Sequence, residues 1–179
     1  ALLIKKFGGT SVGCVEKIKN IAKHICESKE SGNDLVIVVS AMGHSTDQLN
    51  LLAESITKNP PKRELDMLLS TGEQVTMALL SMALNEYGVP AISMTGSQVG
   101  IITESIHNKA RILDIKTERV RDLIEQGFVV IIAGFQGASL SHNGSMEITT
   151  LGRGGSDTSA VALTSALGAD TCEIYTDVP

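Results

Sequence analysis

The chain has 179 residues, of which 42% are hydrophobic and 20% charged, and its formal net charge is −5 at pH 7. These values are ordinary for one globular domain with a proper core. The lack of a basic patch interleaved with aromatic residues argues against nucleic-acid binding, and the lack of a signal peptide or an apolar run of roughly 20 residues predicts a cytoplasmic protein without a membrane partner.

Strand-like and helix-like stretches alternate along the chain. Continuous apolar runs at 35–39 and 128–133 are typical of strands buried on both faces of a parallel sheet. Apolar residues at helical spacing over 15–25 indicate an amphipathic helix that ends at Gly32. In chain order we predict a strand at 2–7, this helix, a strand at 35–39, helices at 46–56 and 62–87, a strand at 91–94, a loop and strand within 96–106, a helix at 117–126, a strand at 128–133, a turn or hairpin tip at 140–144, a helix at 160–167 and a strand at 172–175.

This alternation predicts a three-layer αβα sandwich around an open, mainly parallel sheet. The chain ends at Pro179, directly after a strand and without the crossover that this strand would normally feed. We therefore expect residues 1–179 to be the amino-terminal portion of a larger domain, truncated on its carboxyl-terminal side.

Residues 149–157, TTLGRGGSD, combine flexible backbone with a cation, hydroxyl groups and a carboxylate. They precede a helix-like stretch, whose first N–H groups lack intrahelical partners and attract anions. Arg153 can bind a carboxylate or phosphate in a bidentate fork. The pattern predicts a site for a phosphorylated or carboxylated small molecule. The alternative is a glycine-rich turn in which Ser156 or Asp157 is the helix N-cap.

Polar residues and glycines gather where the predicted strands end, which is where open α/β sheets bind ligands. Lys6 lies in an apolar strand beside Gly8 and Gly9, and we interpret it as a phosphate-binding lysine; a charge that protects a sheet edge is the alternative. Neither GxxxxGK[ST] nor a GxGxxG after a strand occurs, so this turn is not a P-loop or a dinucleotide fingerprint. The other residues at these ends are Thr10, Ser11, Ser40, Gly134, Phe135, Gln136, Gly137, Thr176 and Asp177, with Thr46 shortly after the second strand.

Glu73 stands among apolar residues of the long predicted helix, with Leu69, Met77 and Leu80 at helical spacing around it. A carboxylate in such surroundings seeks a cation, and a surface glutamate whose stem covers its apolar neighbours is an equal alternative. The preceding Gly72 favours a functional role, because glycine costs about 1 kcal/mol in a helix interior and needs a reason such as close approach.

Cysteine and histidine content gives no sign of a disulfide framework or a metal site. The three cysteines show no CxxC spacing, and the four histidines form no HxxxH pair. We expect reduced thiols and no metal-ligating residues.

Six motifs in a fixed order carry a family resemblance across the whole chain. They are KFGGTS at 6–11, VSAMG at 39–43, TGE at 71–73, GFQG at 134–137, TLGRGGSD at 150–157 and YTDV at 175–178. On these motifs the chain closely resembles the amino-terminal kinase part of bacterial aspartokinases, within the amino acid kinase superfamily. The KFGGTS form distinguishes it from the acetylglutamate, glutamate and uridylate kinases of that superfamily.

The resemblance implies an amino acid kinase-like fold and phosphorylation of the β-carboxylate of L-aspartate by ATP, with Mg²⁺, to give 4-phospho-L-aspartate, the entry step to lysine, threonine and methionine synthesis. It implies that Arg153 holds the α-carboxylate of aspartate and Glu73 its ammonium group. It also implies that Lys6, oriented by Asp157, bridges the transferring phosphoryl group. By the same resemblance, Ser40, Thr46, Phe135 and Ser156 complete the aspartate pocket, Gly8, Gly9 and Thr10 bind the phosphates, and Thr176 and Asp177 begin the nucleoside pocket.

Members of this family continue with a further ATP-binding part and regulatory ACT domains, so we expect residues 1–179 alone to be poorly active. We also expect a homo-oligomer, or a hetero-oligomer with a regulatory subunit. Two alternatives stay open. One is another small-molecule kinase of the superfamily, against which Glu73 and Arg153 argue, and the other is a non-catalytic fragment that binds an amino acid or assembles.

Overall fold

The structure, a computed structural model, describes residues 1–141, 143–152 and 154–175. Strands and helices alternate through it as the sequence predicts. In chain order the elements are β1 (Leu2–Phe7), α1 (Val15–Glu30), β2 (Asp34–Val39), α2 (Ser45–Ile56), α3 (Lys62–Leu69), α4 (Thr71–Glu86), β3 (Ala91–Met94), α5 (Gly96–Val99), β4 (Ile101–Thr103), β5 (Ile112–Ile115), α6 (Glu118–Glu125), β6 (Val129–Ala133), β7 (Gln136–Leu140), β8 (Met146–Thr150), α7 (Gly155–Leu167) and β9 (Thr171–Tyr175).

Five parallel strands form the central sheet, in the order β3-β6-β2-β1-β9. Strands β1, β2 and β6 run in matched register, so that Phe7 lies beside Val39 and Val39 beside Ala133. Their carboxyl ends therefore meet at one edge of the sheet. This confirms the predicted mainly parallel sheet and supplies the edge at which such sheets bind ligands.

Helices cover both faces of the central sheet. On β2, Leu35, Ile37 and Val39 belong to the core shared with α1 and α4. The alternate residues Val36 and Val38 belong to the core shared with α5, α6 and α7. All five side chains are fully buried, which explains why the sequence of this strand is a continuous apolar run. The three-layer αβα arrangement is confirmed.

A second sheet of four strands, in the order β5-β4-β7-β8, accompanies the first. It is mixed, because β4 pairs parallel with β7 whereas the other two pairs are antiparallel. The sequence predicted the strand within 96–106 and the turn between β7 and β8, but not strands β5, β7 and β8. These three strands have four or five residues each, which is too short for a clear period of two.

The predicted helix 62–87 is present as α3 and α4, which Ser70 joins with helical dihedral angles (φ −64°, ψ −17°). The hydroxyl groups of Ser70 and Thr71 donate to the carbonyls of Met67 and Leu68. Such bonds compete with the helical ladder and explain the irregularity at this junction.

Among the described residues, the stretch Lys62–Glu86 is long and apolar enough to cross a membrane by length and composition. The prediction that no stretch reaches this threshold was therefore wrong. Half of its most apolar window is buried inside the domain. A single helix of this kind is weak evidence for a span, because the core helix of a soluble protein meets the same criteria.

Helix α7 begins at Gly155, earlier than predicted. Its N-cap is Gly154, which has a left-handed backbone (φ 81°) that favours glycine. The alternative in which Ser156 or Asp157 caps the helix is wrong, because both residues lie within its first turn.

Helix α4 offers a direct test of which of its side chains form the core. Leu80 is fully buried between the helix and the sheet, whereas Met82 on the same helix is 64% exposed. We expect Leu80→Ala to lower the free energy of unfolding by about 2–5 kcal/mol, because it leaves a cavity. Met82→Ala is the control and should change it by less than about 0.5 kcal/mol. Equal effects in urea unfolding would contradict this placement of α4.

Candidate functional site

The loops that leave β1, β2 and β6 start side by side. The N–H of Ser40 donates to the carbonyl of Phe7 over 3.2 Å, and the N–H of Gly134 donates to the carbonyl of Val39 over 3.0 Å. These bonds extend the parallel ladders one residue beyond the strands. The predicted residues of three separate motifs therefore share one sheet edge, which is the position expected of a ligand site.

Lys6 and Asp157 form an ion pair at this edge, with Nζ and Oδ1 2.8 Å apart. Lys6 lies on β1 and is 9% exposed, whereas Asp157 lies in the first turn of α7. The amine also lies over Gly8, where an added Cβ atom would be 3.3 Å from Nζ. A cation held beside bare backbone in this way suits the oxygen atoms of a phosphate.

Lys5, the neighbour of Lys6, projects to the opposite face of β1 because strand side chains alternate. Its Nζ lies 3.3 Å from a carboxylate oxygen of Glu173 and 3.1 Å from Nε2 of His24. Burial, followed by the charge of Lys5, lowers the pKa of His24, and a neutral imidazole can accept a hydrogen bond from the ammonium group. The ammonium group of Lys5 therefore has its partners on the face of β1 that lies opposite Lys6.

Ser40 and Ser156 join the end of β2 to the start of α7. The Ser40 hydroxyl donates to the Ser156 hydroxyl over 3.0 Å. Gly134 provides the space for this contact, since a Cβ atom there would lie 3.0 Å from both Cβ and Oγ of Ser156. Two predicted pocket residues that are distant in sequence thus form one polar wall.

The loop after β1 packs against the loop after β2. The N–H of Gly43 donates to the carbonyl of Gly9 over 2.8 Å, and a Cβ atom at Gly9 would be 3.1 Å from the carbonyl oxygen of Ala41. On the other side, Lys17 donates to the carbonyl of Thr10 over 2.9 Å. The predicted phosphate-binding turn is therefore held on both sides, and close backbone approach accounts for its glycine.

Glu73 is buried at the start of α4, with 2% of its surface exposed. The Gln136 amide donates over 2.9 Å both to the Glu73 carboxylate and to the carbonyl of Ser70. Desolvation raises the pKa of Glu73 to about 8, against the opposing effect of the Gln136 hydrogen bond, and within the described part of the chain no cation offsets it. The alternative of a surface glutamate is wrong.

Gly72 explains how Glu73 reaches the sheet edge. A Cβ atom at Gly72 would lie 2.8 Å from the Cβ atom of Ala41, closer than real side chains approach. The start of α4 therefore touches the loop that follows Ser40. The expectation that this helical glycine serves close approach is confirmed.

Phe135 has a left-handed backbone, with φ of 72°, which is rare for a bulky residue. Its N–H donates to the hydroxyl of Ser159 over 3.1 Å, and its carbonyl accepts from the N–H of Leu151 over 2.8 Å. Its ring packs on Gly155 so closely that any Cβ atom at that position would collide with it. Strain of this kind persists only where the surroundings enforce it, and it concentrates at functional sites.

A groove of about 660 Å³ runs past Asp157 and the first turn of α7. Lys109, Gly152 and Thr158 are among the residues that line it. Its volume lies in the range of small-molecule sites. Of the predicted site residues, Asp157 lines the groove, whereas Lys6, Ser40 and Glu73 are not among its lining residues.

The structure does not unite every predicted residue. Thr46 lies in the first turn of α2, and among the described residues no hydrogen bond joins its side chain to the rest of the set. Arg153, Thr176 and Asp177 lie outside the described residues, so their roles stay predictions. In the ranges that the structure describes, no cluster of three or more His, Cys, Asp or Glu side chains could hold a metal ion.

Two residues of this region escaped the sequence analysis, which gave Gln136 no role and did not consider Asp66. Gln136 is 2% exposed and Asp66 is fully buried. Asp66 precedes Glu73 by two helical turns, so the two carboxylates share one side of the α3–α4 stretch. Two acidic residues seven positions apart on an apolar helix face are the signal that could have revealed Asp66.

Comparison with known proteins gives a consistent result. A sequence profile of the amino acid kinase family matches residues 1–179. Aspartokinase 2 of Bacillus subtilis is 60% identical over 178 residues, which are 99% of this chain and 43% of that protein. The chain thus spans less than half the length of this relative.

Solved structures agree with the sequence comparison. The aspartate kinase from Synechocystis superposes with a TM-score of 0.84 at 59% identity, covering 100% of this chain and 29% of that one. Aspartokinase III of Escherichia coli, solved in complex with aspartate and ADP, superposes with a TM-score of 0.83 over 100% of this chain and 50% of that one. At 23% identity, the second similarity supports the fold alone.

The raised pKa of Glu73 predicts a pH-dependent stability. Its pKa is about 8 in the folded state against the ordinary 4.5, so the unfolded chain loses this proton first and the free energy of unfolding falls as pH rises between these values. Glu73→Gln cannot ionise and should gain stability over the wild type across this range, on the order of a few kcal/mol. Urea unfolding at several pH values measures the difference. Glu86→Gln, at the exposed end of the same helix, should show the same dependence of stability on pH as the wild type. If Glu73→Gln also showed the wild-type dependence, the raised pKa could not belong to Glu73.

Proposed function

The chain belongs to the amino acid kinase family, and on this basis we propose that it takes part in the ATP-dependent phosphorylation of the β-carboxylate of L-aspartate, giving 4-phospho-L-aspartate. The observation that carries the proposal is the presence, at one sheet edge, of the Lys6–Asp157 ion pair and the buried carboxylate of Glu73. A cation suits phosphoryl transfer, and a buried carboxylate suits the ammonium group of an amino acid. The 60% identity to an aspartokinase supports aspartate as that amino acid.

The chemistry needs no general base. An oxygen of the β-carboxylate, already ionised at neutral pH, attacks the γ-phosphorus of ATP, the bond to the β,γ-bridging oxygen breaks, and ADP leaves. Negative charge spreads over the transferring oxygens, so catalysis rests on positioning and on cations. Lys6, held by Asp157, would neutralise this charge, while Gly8, Gly9 and Thr10 would donate to the nucleotide phosphates.

The two ends of the substrate pocket would carry opposite charges. Glu73 would bind the ammonium group and Arg153 the α-carboxylate, so that each buried charge finds its counterpart. Because the pKa of Glu73 is about 8 without a ligand, the incoming ammonium group would favour its ionised form. The amide of Gln136 would keep that carboxylate oriented. The residues proposed to complete the pocket are Ser40, Thr46, Phe135 and Ser156.

ATP is the proposed phosphoryl donor, and Thr176 and Asp177 would begin its nucleoside pocket. When bound, Mg²⁺ would neutralise part of the charge on the phosphates. In kinase sites this ion is held largely by phosphates and water, with one or two carboxylates. The residues present fit this mode of binding. Asp157 is already paired with Lys6, so the phosphates would be the main ligands of the ion.

We further propose that the reaction serves lysine, threonine and methionine biosynthesis in the cytoplasm. The basis is the resemblance of the six motifs to those of aspartokinases. On the same basis the protein would be a homo-oligomer or a hetero-oligomer with a regulatory subunit.

The proposal is tested by ADP release in the presence of ATP and Mg²⁺. L-aspartate, L-glutamate and N-acetylglutamate are compared as acceptors, with this chain and with a polypeptide of the length of its aspartokinase relatives. We expect aspartate-dependent release by the longer polypeptide and little by residues 1–179 alone. Release with another acceptor would indicate a different kinase of the family. No release from either polypeptide, with aspartate binding retained, would indicate a binding fragment.

Two adjacent lysines test the proposed role of Lys6 in the longer polypeptide. Lys6→Gln should lower turnover by about 10²–10³-fold with little change in the KM for aspartate, because Lys6 would act on charge that develops during transfer. Lys5→Gln removes a similarly buried lysine from the other face of β1 and should leave turnover near that of the wild type. Unchanged turnover in Lys6→Gln, or an equal loss in Lys5→Gln, would remove Lys6 from the mechanism.

A further inference from the structure

Asp66 is a fully buried carboxylate on α3 that accepts hydrogen bonds from two other parts of the chain. At the end of β8, Thr150 donates its N–H over 3.1 Å and its hydroxyl over 2.5 Å. From the loop before β5, the N–H of Asn108 donates over 3.2 Å, and Nδ1 of His107 lies 2.7 Å from the carboxylate. Hydrogen bonds to Asp66 thus join helix α3, the end of β8 and the loop before β5.

A carboxylate with so many donors is well satisfied although it is buried. Removing the charge would leave the backbone N–H groups of Thr150 and Asn108 with a poorer acceptor, and buried donors without partners are costly. Asp66 therefore contributes directly to the mutual positions of these three segments, together with the N–H of Ala110, which donates to the carbonyl of Thr150 over 3.1 Å.

The segments that hydrogen bonds to Asp66 join border the proposed substrate pocket. Directly after Thr150, the N–H of Leu151 donates to the carbonyl of Phe135 over 2.8 Å. Among the described residues, Asn108 and Phe135 are the non-glycine positions with a left-handed backbone, at φ 70° and 72°. Phe135 binds the stretch after β8 directly, whereas Asn108 is connected to it through Asp66, to which both Asn108 and Thr150 donate.

The other end of the pocket starts from the next helix, α4. Seven residues after Asp66, Glu73 projects from α4, and Gln136 ties its carboxylate to the carbonyl of Ser70 at the α3–α4 junction. The glycine-rich segment leaves β8 at Thr150, three positions before Arg153 in the sequence. Asp66 on α3 thus links the α3–α4 stretch, which carries Glu73, to strand β8.

From this arrangement we propose that Asp66 is a positioning residue for the proposed pocket, which holds the end of β8 at a fixed position relative to the α3–α4 stretch that carries Glu73. The inference rests on the proposed function. Asp66 itself would touch neither substrate. Its effect on aspartate binding would pass through the pocket residues that these segments carry.

The test uses the longer polypeptide and separates a change in the KM for aspartate from a loss of protein stability. Asp66→Asn keeps the volume of the side chain but weakens its hold on Thr150 and Asn108. We expect the KM for aspartate to rise about tenfold, equivalent to about 1.4 kcal/mol, while the KM for ATP stays near that of the wild type. The rise in KM should exceed any fall in turnover at saturating aspartate.

Asn85→Ala is the matched control for a loss of stability alone. The amide of Asn85 makes three hydrogen bonds that join the end of α4 to the start of β3. This variant should lower the melting temperature, as Asp66→Asn is also expected to do, without raising the KM for aspartate. Equal changes in the aspartate KM of both variants, or an unchanged aspartate KM in Asp66→Asn, would overturn the positioning role.

Thr150→Val keeps the test decisive if Asp66→Asn does not fold. It removes one hydroxyl donor to Asp66 and leaves the backbone donors in place, so a smaller rise in the aspartate KM is expected. A folded Thr150→Val protein with the wild-type KM would overturn the inference. If the wild type shows no aspartate-dependent ADP release, the proposed function fails, and this inference fails with it.

Discussion

The central strands are covered by helices on both faces, so a charge placed on them must be neutralised where it lies. An unpaired ion in such a place costs several kcal/mol. Strand β1 carries two charges, on Lys5 and Lys6, and the alternation of the strand sends them to opposite faces. Each meets a carboxylate from another element, Glu173 on β9 and Asp157 on α7. The positions of β9 and α7 against β1 are thereby coupled to the neutralisation of two lysines, of which Lys6 lies at the ligand-binding edge.

The two buried acids of the α3–α4 stretch are satisfied to different degrees, and this difference separates their roles. Asp66 accepts hydrogen bonds from both backbone and side-chain donors and is complete within the described structure. Glu73 accepts from Gln136, and desolvation keeps its pKa near 8. A buried acid that lacks a full set of partners is the one that can gain from a cationic ligand. An acid that already has its full set of hydrogen-bond donors stabilises the geometry around it.

The proposed pocket is built largely by close backbone approach. Gly72 lets α4 touch the loop after β2, and Gly134 lets the end of β6 approach Ser156. Gly155 lets the first turn of α7 lie against the ring of Phe135, whose own backbone is left-handed. These contacts bring three layers of the fold to one place. Added side chains there would separate the hydroxyl, cationic and acidic groups that the proposed reaction needs.

The sequence by itself determined the αβα class, the central strands and the sheet edge that bears Lys6, Ser40 and Gly134, because hydrophobic period and strand-end glycines are local properties. The motifs also indicated the family. Only the tertiary structure decided that Ser40 meets Ser156 across 116 positions, that Gln136 meets Glu73 across 63, and that Asp66 meets Thr150 across 84. The short strands of the second sheet, the N-cap of α7 and the burial of Glu73 were likewise decided there. The physical reason is that satisfaction of a buried polar group depends on which distant segments pack against it, and no local pattern of residues records that choice.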